Sequence, residues 1–233
     1  MSTIVLVPGA WHGGWCWQRV VPRLEEAGHR VYTPTLSGVS DRAHIINPYI
    51  GLETHVDDIV KMIEAYDLAE VTLVGHSYGG QVITGVADRL PAQIARRVYL
   101  DGFIGDGRPA IDLLPATVAH HYRESVKQSG FGWLIPPRPL EKLGVTSSDD
   151  LNWLVPKLTP HPWKTYTDPL FLTGAHREVP GVFVECVEWM RVFQAFAQQC
   201  AAEGWETHEL KTGHEAMVTA PQELVSVLLK IIG

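Results

Sequence analysis

A serine, a histidine and a carboxylate in the right places would give this chain acyl-transfer chemistry. The serine is Ser77, within Gly75-His76-Ser77-Tyr78-Gly79, a G-x-S-x-G pattern. Val71–Val74 before it form a short apolar run suited to a buried strand, and Gly80–Ala87 after it read as the first turns of a helix. Strand, tight turn and helix in that order hold a serine in a strained backbone conformation, its hydroxyl projecting from the strand's carboxyl end. A glycine-rich β-to-α turn with no chemistry is the bland alternative, and the flanking elements weigh against it.

A serine hydroxyl is a poor nucleophile at neutral pH and needs a base. His214, in Gly213-His214-Glu215, sits between the last predicted strand and the closing helix, where the base belongs if chain order is nucleophile, acid, histidine. The acid must orient the imidazole, so it belongs at a strand's carboxyl end. Asp101, in Tyr99-Leu100-Asp101-Gly102, and Glu188, in Cys186-Val187-Glu188-Trp189, both qualify. Asp101 is favoured for its apolar setting, and Glu185 is expected to point away from the loops. Two backbone N–H groups are expected to receive the oxyanion: that of Tyr78, after the serine, and that of Ala10, in the loop after the first strand, with Trp11 the second choice. His12 and His76 are read as loop-shaping hydrogen-bonding residues.

The elements that must position these groups alternate as a parallel sheet requires. Ile4–Val7, Arg30–Thr33, Val71–Val74, Arg97–Leu100, Gly181–Cys186 and Glu206–Leu210 read as strands. Arg19–Gly28, Glu53–Tyr66, Trp189–Gly204 and Leu224–Ile232 read as helices. The expected fold class is α/β, about six mainly parallel strands with helices on both faces. Residues 105–180 break the alternation; they are rich in proline and hold Tyr122, Phe131, Trp133, Trp153, Trp163, Tyr166 and Phe171. The expectation is an α/β core of residues 1–104 and 181–233, with residues 105–180 a mostly helical cap over the site.

Composition bounds the partners. A net charge of −7 without a Lys/Arg cluster argues against nucleic acid. Cys16, Cys186 and Cys200 form no C-x-x-C pair and suggest reduced thiols in a cytoplasm, with Cys16 a buried core thiol. Met1-Ser2-Thr3 leads straight into a strand, so no signal peptide is expected, and no apolar stretch is long enough for a membrane span. The eleven histidines include no H-x-H and no H-E-x-x-H, and His120-His121 would point to different sides of a helix. No metal and no cofactor are expected; a homodimer is left open.

Together these pieces resemble the α/β-hydrolase superfamily over nearly the whole chain. Val5-Leu6-Val7-Pro8-Gly9-Ala10-Trp11-His12-Gly13-Gly14-Trp15-Cys16-Trp17 resembles, more narrowly, the small methylesterase and hydroxynitrile-lyase branch, which includes bacterial aromatic-ester and carbamate hydrolases of the carbendazim type. There are departures. Pro8 stands where relatives have histidine, and no aspartate follows the strand ending near Cys186. The resembling lyases use a threonine at the place of Gly9 and a lysine at the place of Glu215, which argues for hydrolysis here. Some haloalkane dehalogenases carry the acid at a place similar to Asp101, but their chemistry needs an aspartate where Ser77 stands. The resemblance implies a cofactor-independent serine hydrolase acting on a small, apolar or aromatic ester or carbamate through an acyl- or carbamoyl-enzyme. The alternatives are a lyase-like C–C bond-cleaving enzyme and a hydrolase-fold protein that binds a small ligand with little turnover.

Overall fold

Apolar runs too short for helices become the strands of one sheet. The computed structural model describes residues 1–233. Strands β1 (Thr3–Val7), β2 (Arg30–Tyr32), β3 (Val71–His76) and β4 (Ile94–Leu100) come from the first half of the chain. Between β4 and the next sheet strand, the chain forms helix-rich segments and a small two-stranded antiparallel sheet, β5 (Leu134–Ile135) with β6 (His161–Pro162). Strands β7 (Gly181–Cys186) and β8 (Glu206–Leu210) complete the main sheet in the order β2-β1-β3-β4-β7-β8, every pair parallel. Every residue of β3, at the middle of the sheet, is buried, so both its faces must be covered.

The strand order reverses at β1 and β3, and right-handed crossovers in the two directions send helices to opposite faces. Helix α1 (Val21–Glu26) touches the last helix, while α2 (Leu52–Ala65) touches α3 (Gly79–Arg89). Pro22 fits the first turn of α1, so that helix is shorter than Arg19–Gly28, the expected span, and Gly28 ends the turn at φ +86°. The segment between β4 and β7 carries α4 (Ala116–Ser129), α5 (Ser148–Leu154) and α6 (Lys164–Thr167).

One helix is corrected outright. The stretch Trp189–Gly204 was expected to be helical from its start, but α7 spans only Gln194–Ala202. Arg191 has φ +47°, which no helix interior tolerates, and its guanidinium forks onto the Glu185 carboxylate at 2.9 and 2.8 Å. A short α8 (Ala216–Thr219) then precedes α9 (Pro221–Ile232), which starts earlier than Leu224 because Pro221 supplies its first turn.

Candidate active site

The turn after β3 places Ser77 at φ +53°, a left-handed conformation that costs a side-chain-bearing residue energy and persists only where the surroundings impose it. The Ser77 N–H donates to the Leu100 carbonyl (3.1 Å), and the Ser77 carbonyl accepts from the Phe103 N–H (3.1 Å). Gly75 and Gly79 let the turn close this tightly. A Cβ on Gly75 would lie 2.6 Å from the Gly79 carbonyl oxygen, and one on Gly79 2.8 Å from that of Val7.

Asp101 follows β4 at φ +43° and is fully buried. Its N–H donates to the Val184 carbonyl (2.7 Å), and its Oδ1 accepts from the Cys186 N–H (3.2 Å). Its Oδ2 lies 2.7 Å from His214 Nδ1. Burial pushes the Asp101 carboxyl above its usual range, and the hydrogen bond from His214 opposes that rise. With its Nδ1–H given to Asp101, His214 keeps Nε2 free to accept a proton.

The His214 backbone is tied at both ends: its N–H donates to the Leu143 carbonyl (2.7 Å), and its carbonyl accepts from His76 Nε2 (3.0 Å). Gly144 and Gly213 cross directly beside it, each filling the place where a Cβ of the other would go. His76 stays neutral, because burial and then the neighbouring His214 hold its pKa well below the ordinary value. The Trp189 and Phe193 rings lie 4.3 and 5.7 Å from the His214 ring.

Ser77 and His214 line one cavity, walled by Trp11, Phe103, Tyr122, Tyr166, Trp189 and Phe193, with Arg138 also on its lining. Its free volume is about 20 Å³, room for a water but not for an aromatic substrate, so side chains must move to admit one. Glu188 lies elsewhere. It is exposed, its N–H donates to the Thr212 carbonyl (2.9 Å), and it lines a polar surface cleft with Asp150 and Glu223. Sequence position alone left two acids open; the fold brings Asp101 and not Glu188 to the imidazole.

The amides of Ala10 and Tyr78 donate to no other group of the chain. The Trp11 N–H, the second choice from sequence, is engaged: it donates to His161 Nδ1 (3.4 Å). His12 Nδ1–H donates to the Ala10 carbonyl (2.7 Å), fixing the loop from inside. The Tyr78 hydroxyl donates to His55 Nδ1 (3.0 Å), and His55 Nε2–H to the Ser37 carbonyl (2.8 Å). Burial pushes His55 down to about 4, so it stays neutral. Sequence reasoning missed His55, His161 and Arg138, none of which sits in a motif. Among the insertion's aromatics, Tyr122 and Tyr166 reach the cavity, whereas Phe131 and Phe171 are exposed.

His76, His214 and Glu215 bring ligand atoms within 4.8 Å of one another. One nitrogen of each imidazole is already committed, to a carbonyl for His76 and to Asp101 for His214. No helix is long and apolar enough to cross a membrane.

Comparison with known proteins bears on the family and the fold. The family model described as "Alpha/beta hydrolase family" matches residues 4–227. The carbendazim hydrolyzing esterase of Nocardioides sp. (strain SG-4G) is 39% identical, over 98% of this chain and 98% of that one. Methylesterase 1 of Arabidopsis thaliana is 27% identical, over 97% of this chain and 94% of its own length. An extracellular alpha/beta-hydrolase from a Paenibacillus species superposes with a TM-score of 0.88 at 25% identity, covering 99% of this chain and 98% of that one. With its six-stranded parallel sheet and its match along nearly its full length, the chain belongs to the α/β-hydrolase family, in the methylesterase and hydroxynitrile-lyase branch.

Proposed function

We propose that this chain, an esterase by its relationships, is a serine hydrolase of small aromatic or apolar esters and carbamates, with carbendazim-type carbamates among its substrates. The observation that carries the reading is the 2.7 Å contact between Asp101 and His214, made where His214 shares a cavity with the strained Ser77. In this mechanism Ser77 Oγ attacks the carbonyl carbon while His214 Nε2 takes its proton. Asp101 holds the imidazole in the required tautomer and stabilises its cation. The Ala10 and Tyr78 amides donate to the oxyanion. His214 then returns the proton to the departing alcohol or amine, and a water activated by the same imidazole cleaves the acyl- or carbamoyl-enzyme.

Residues 105–180 serve in this reading as the cap that closes over substrate and excludes water. Three unpaired, buried cysteines support a reducing compartment, the cytoplasm. Neither a metal nor a cofactor has a step to perform in this chemistry. Lyase chemistry is disfavoured by Gly9, where a Cβ would lie 2.9 Å from His76 Nδ1 and 3.0 Å from Ser77 Cβ, leaving no relaxed space for a threonine.

The test is hydrolysis of methyl and phenyl esters and an aryl carbamate by four proteins. Ser77→Ala should lose at least about 10³-fold in kcat and Asp101→Asn a similar amount. Glu188→Gln should stay within about twofold, since substitutions away from the site are small in effect. Undiminished turnover by Ser77→Ala overturns the mechanism; a crippled Glu188→Gln beside a normal Asp101→Asn moves the acid.

A further inference from the structure

Arg138 is out of place in the cavity it lines. Of the thirteen lining residues ten are hydrophobic, and the other three are Ser77, His214 and Arg138. The first two have work in the proposed reaction. The third is a permanent cation with five N–H donors and no acceptor capacity. Arg138 pairs with no carboxylate; its one polar neighbour in the chain is the Tyr122 hydroxyl, and its Nε is buried without a partner. A buried unmatched donor on a charged group is costly, so folded proteins keep few of them without cause.

Its position is nevertheless fixed. The guanidinium lies over the Tyr122 ring, 5.5 Å from the centroid, and Tyr122 stacks on Tyr166 at 5.4 Å. Tyr166 in turn stacks on Tyr78, the residue after Ser77, at 5.3 Å. An ordered column of aromatic rings thus runs from the nucleophile's neighbour to an unpaired cation. A flat ring lying along such a column would place an in-plane acceptor against the guanidinium edge, where planar donors match planar acceptors.

We propose that Arg138 is the specificity-determining residue of this site, and selects aromatic esters and carbamates whose ring carries an in-plane hydrogen-bond acceptor near the scissile carbonyl. This rests on the serine-hydrolase reading. The shared chemistry is an oxygen or nitrogen lone pair in the ring plane, which a ring nitrogen or an ortho carboxylate can supply. Filling the orphaned Nε–H strengthens binding of such substrates over the same ring without the acceptor.

Three methyl esters with one leaving group test the proposal: methyl benzoate, methyl picolinate with a ring nitrogen, and monomethyl phthalate with an ortho carboxylate. The readout is the kcat/KM of each acceptor-bearing ester divided by that of methyl benzoate, which cancels intrinsic reactivity when wild type and variant are compared. In Arg138→Met at least one ratio should fall about tenfold to a hundredfold, the effect of a lost hydrogen bond to a charged group. Arg138→Lys, which keeps the charge but not the fork, should fall between, and thermal unfolding of both variants checks that they fold. The picolinate and phthalate arms show which acceptor is selected. Ratios within twofold of wild type in Arg138→Met overturn the proposal and leave the hydrolase reading standing. Failure of wild type to cleave any of the three, or cleavage undiminished in Ser77→Ala, contradicts both.

Discussion

The N–H of Trp11 donates to Nδ1 of His161, 150 residues away in sequence and part of the two-stranded β5–β6 sheet. Two further bonds join the same partners: the Trp11 indole N–H donates to the Ile135 carbonyl (3.1 Å), and the Trp11 carbonyl accepts from the Thr159 N–H (3.3 Å). Trp11 has φ +69°, a conformation its side chain disfavours, so these bonds hold the loop after β1 in a shape it would not keep alone.

In the proposed mechanism the loop's shape aims the Ala10 amide at the oxyanion, so loss of the His161 acceptor should act on the chemical step. His161→Phe should lower kcat by about tenfold or more with little change in KM, because a misplaced oxyanion donor weakens the transition state more than the ground state. His161→Asn, whose Oδ1 can replace Nδ1 as acceptor, should recover most of the loss. Steady-state kinetics on a phenyl ester checks both, and equal kcat in His161→Phe and wild type would refute the coupling.

Three buried histidines, His55, His76 and His161, are held neutral chiefly by burial, His55 near a pKa of about 4 and the other two well below the ordinary value. The unfolded chain protonates them near pH 6.5 while the folded chain does not, so stability is fully present above that pH and falls as pH drops toward about 4. Each contributes a slope of up to about 1.4 kcal/mol per pH unit. Urea unfolding at pH 7 and pH 5 should show the loss, and His55→Gln should flatten it. A stability independent of pH across that window would show that the histidines are protonated in the folded chain.

Asp88, at the end of α3, accepts five hydrogen bonds: two from Thr173, one from Gly174, and two from His176. Burial alone would raise its pKa, but these bonds outweigh it and hold the carboxyl well below the usual carboxylate range. Its stabilisation is therefore present above about pH 4 and lost as the pH falls through the depressed value. Asp88→Ala should destabilise by about 3 kcal/mol, since it leaves two buried donors of His176 and three partly buried ones without an acceptor. Chemical denaturation at pH 7 measures this, and a change under about 0.5 kcal/mol would show that water replaces the carboxylate.

Much of the proposed site is visible in local pattern, because its groups sit where local rules apply. Val71–Val74 is apolar because β3 is central, Ser77 lies in a turn whose glycines are forced by contact, and Asp101 and His214 follow strand ends. What the sequence misplaced is set by distant contacts. Trp189–Phe193 looks helical in composition, but Arg191 folds back onto Glu185 and the Trp189 ring packs on His214. The β5–β6 sheet pairs two residues with two, one of them Pro162, too few for an alternating pattern to register. His161 meets Trp11 and Arg138 lines the cavity from the segment between β4 and β7, and nothing beside them in sequence announces it.

The most direct measurement is a trapping experiment on Ser77 with an aryl N-methylcarbamate, whose enzyme adduct hydrolyses slowly enough to be seen. Intact-mass spectra after brief exposure should show one added carbamoyl group, peptide mapping should locate it on Ser77, and Ser77→Ala should show none. Turnover of the same carbamate with no adduct at Ser77, and at an unchanged rate in Ser77→Ala, would contradict the account.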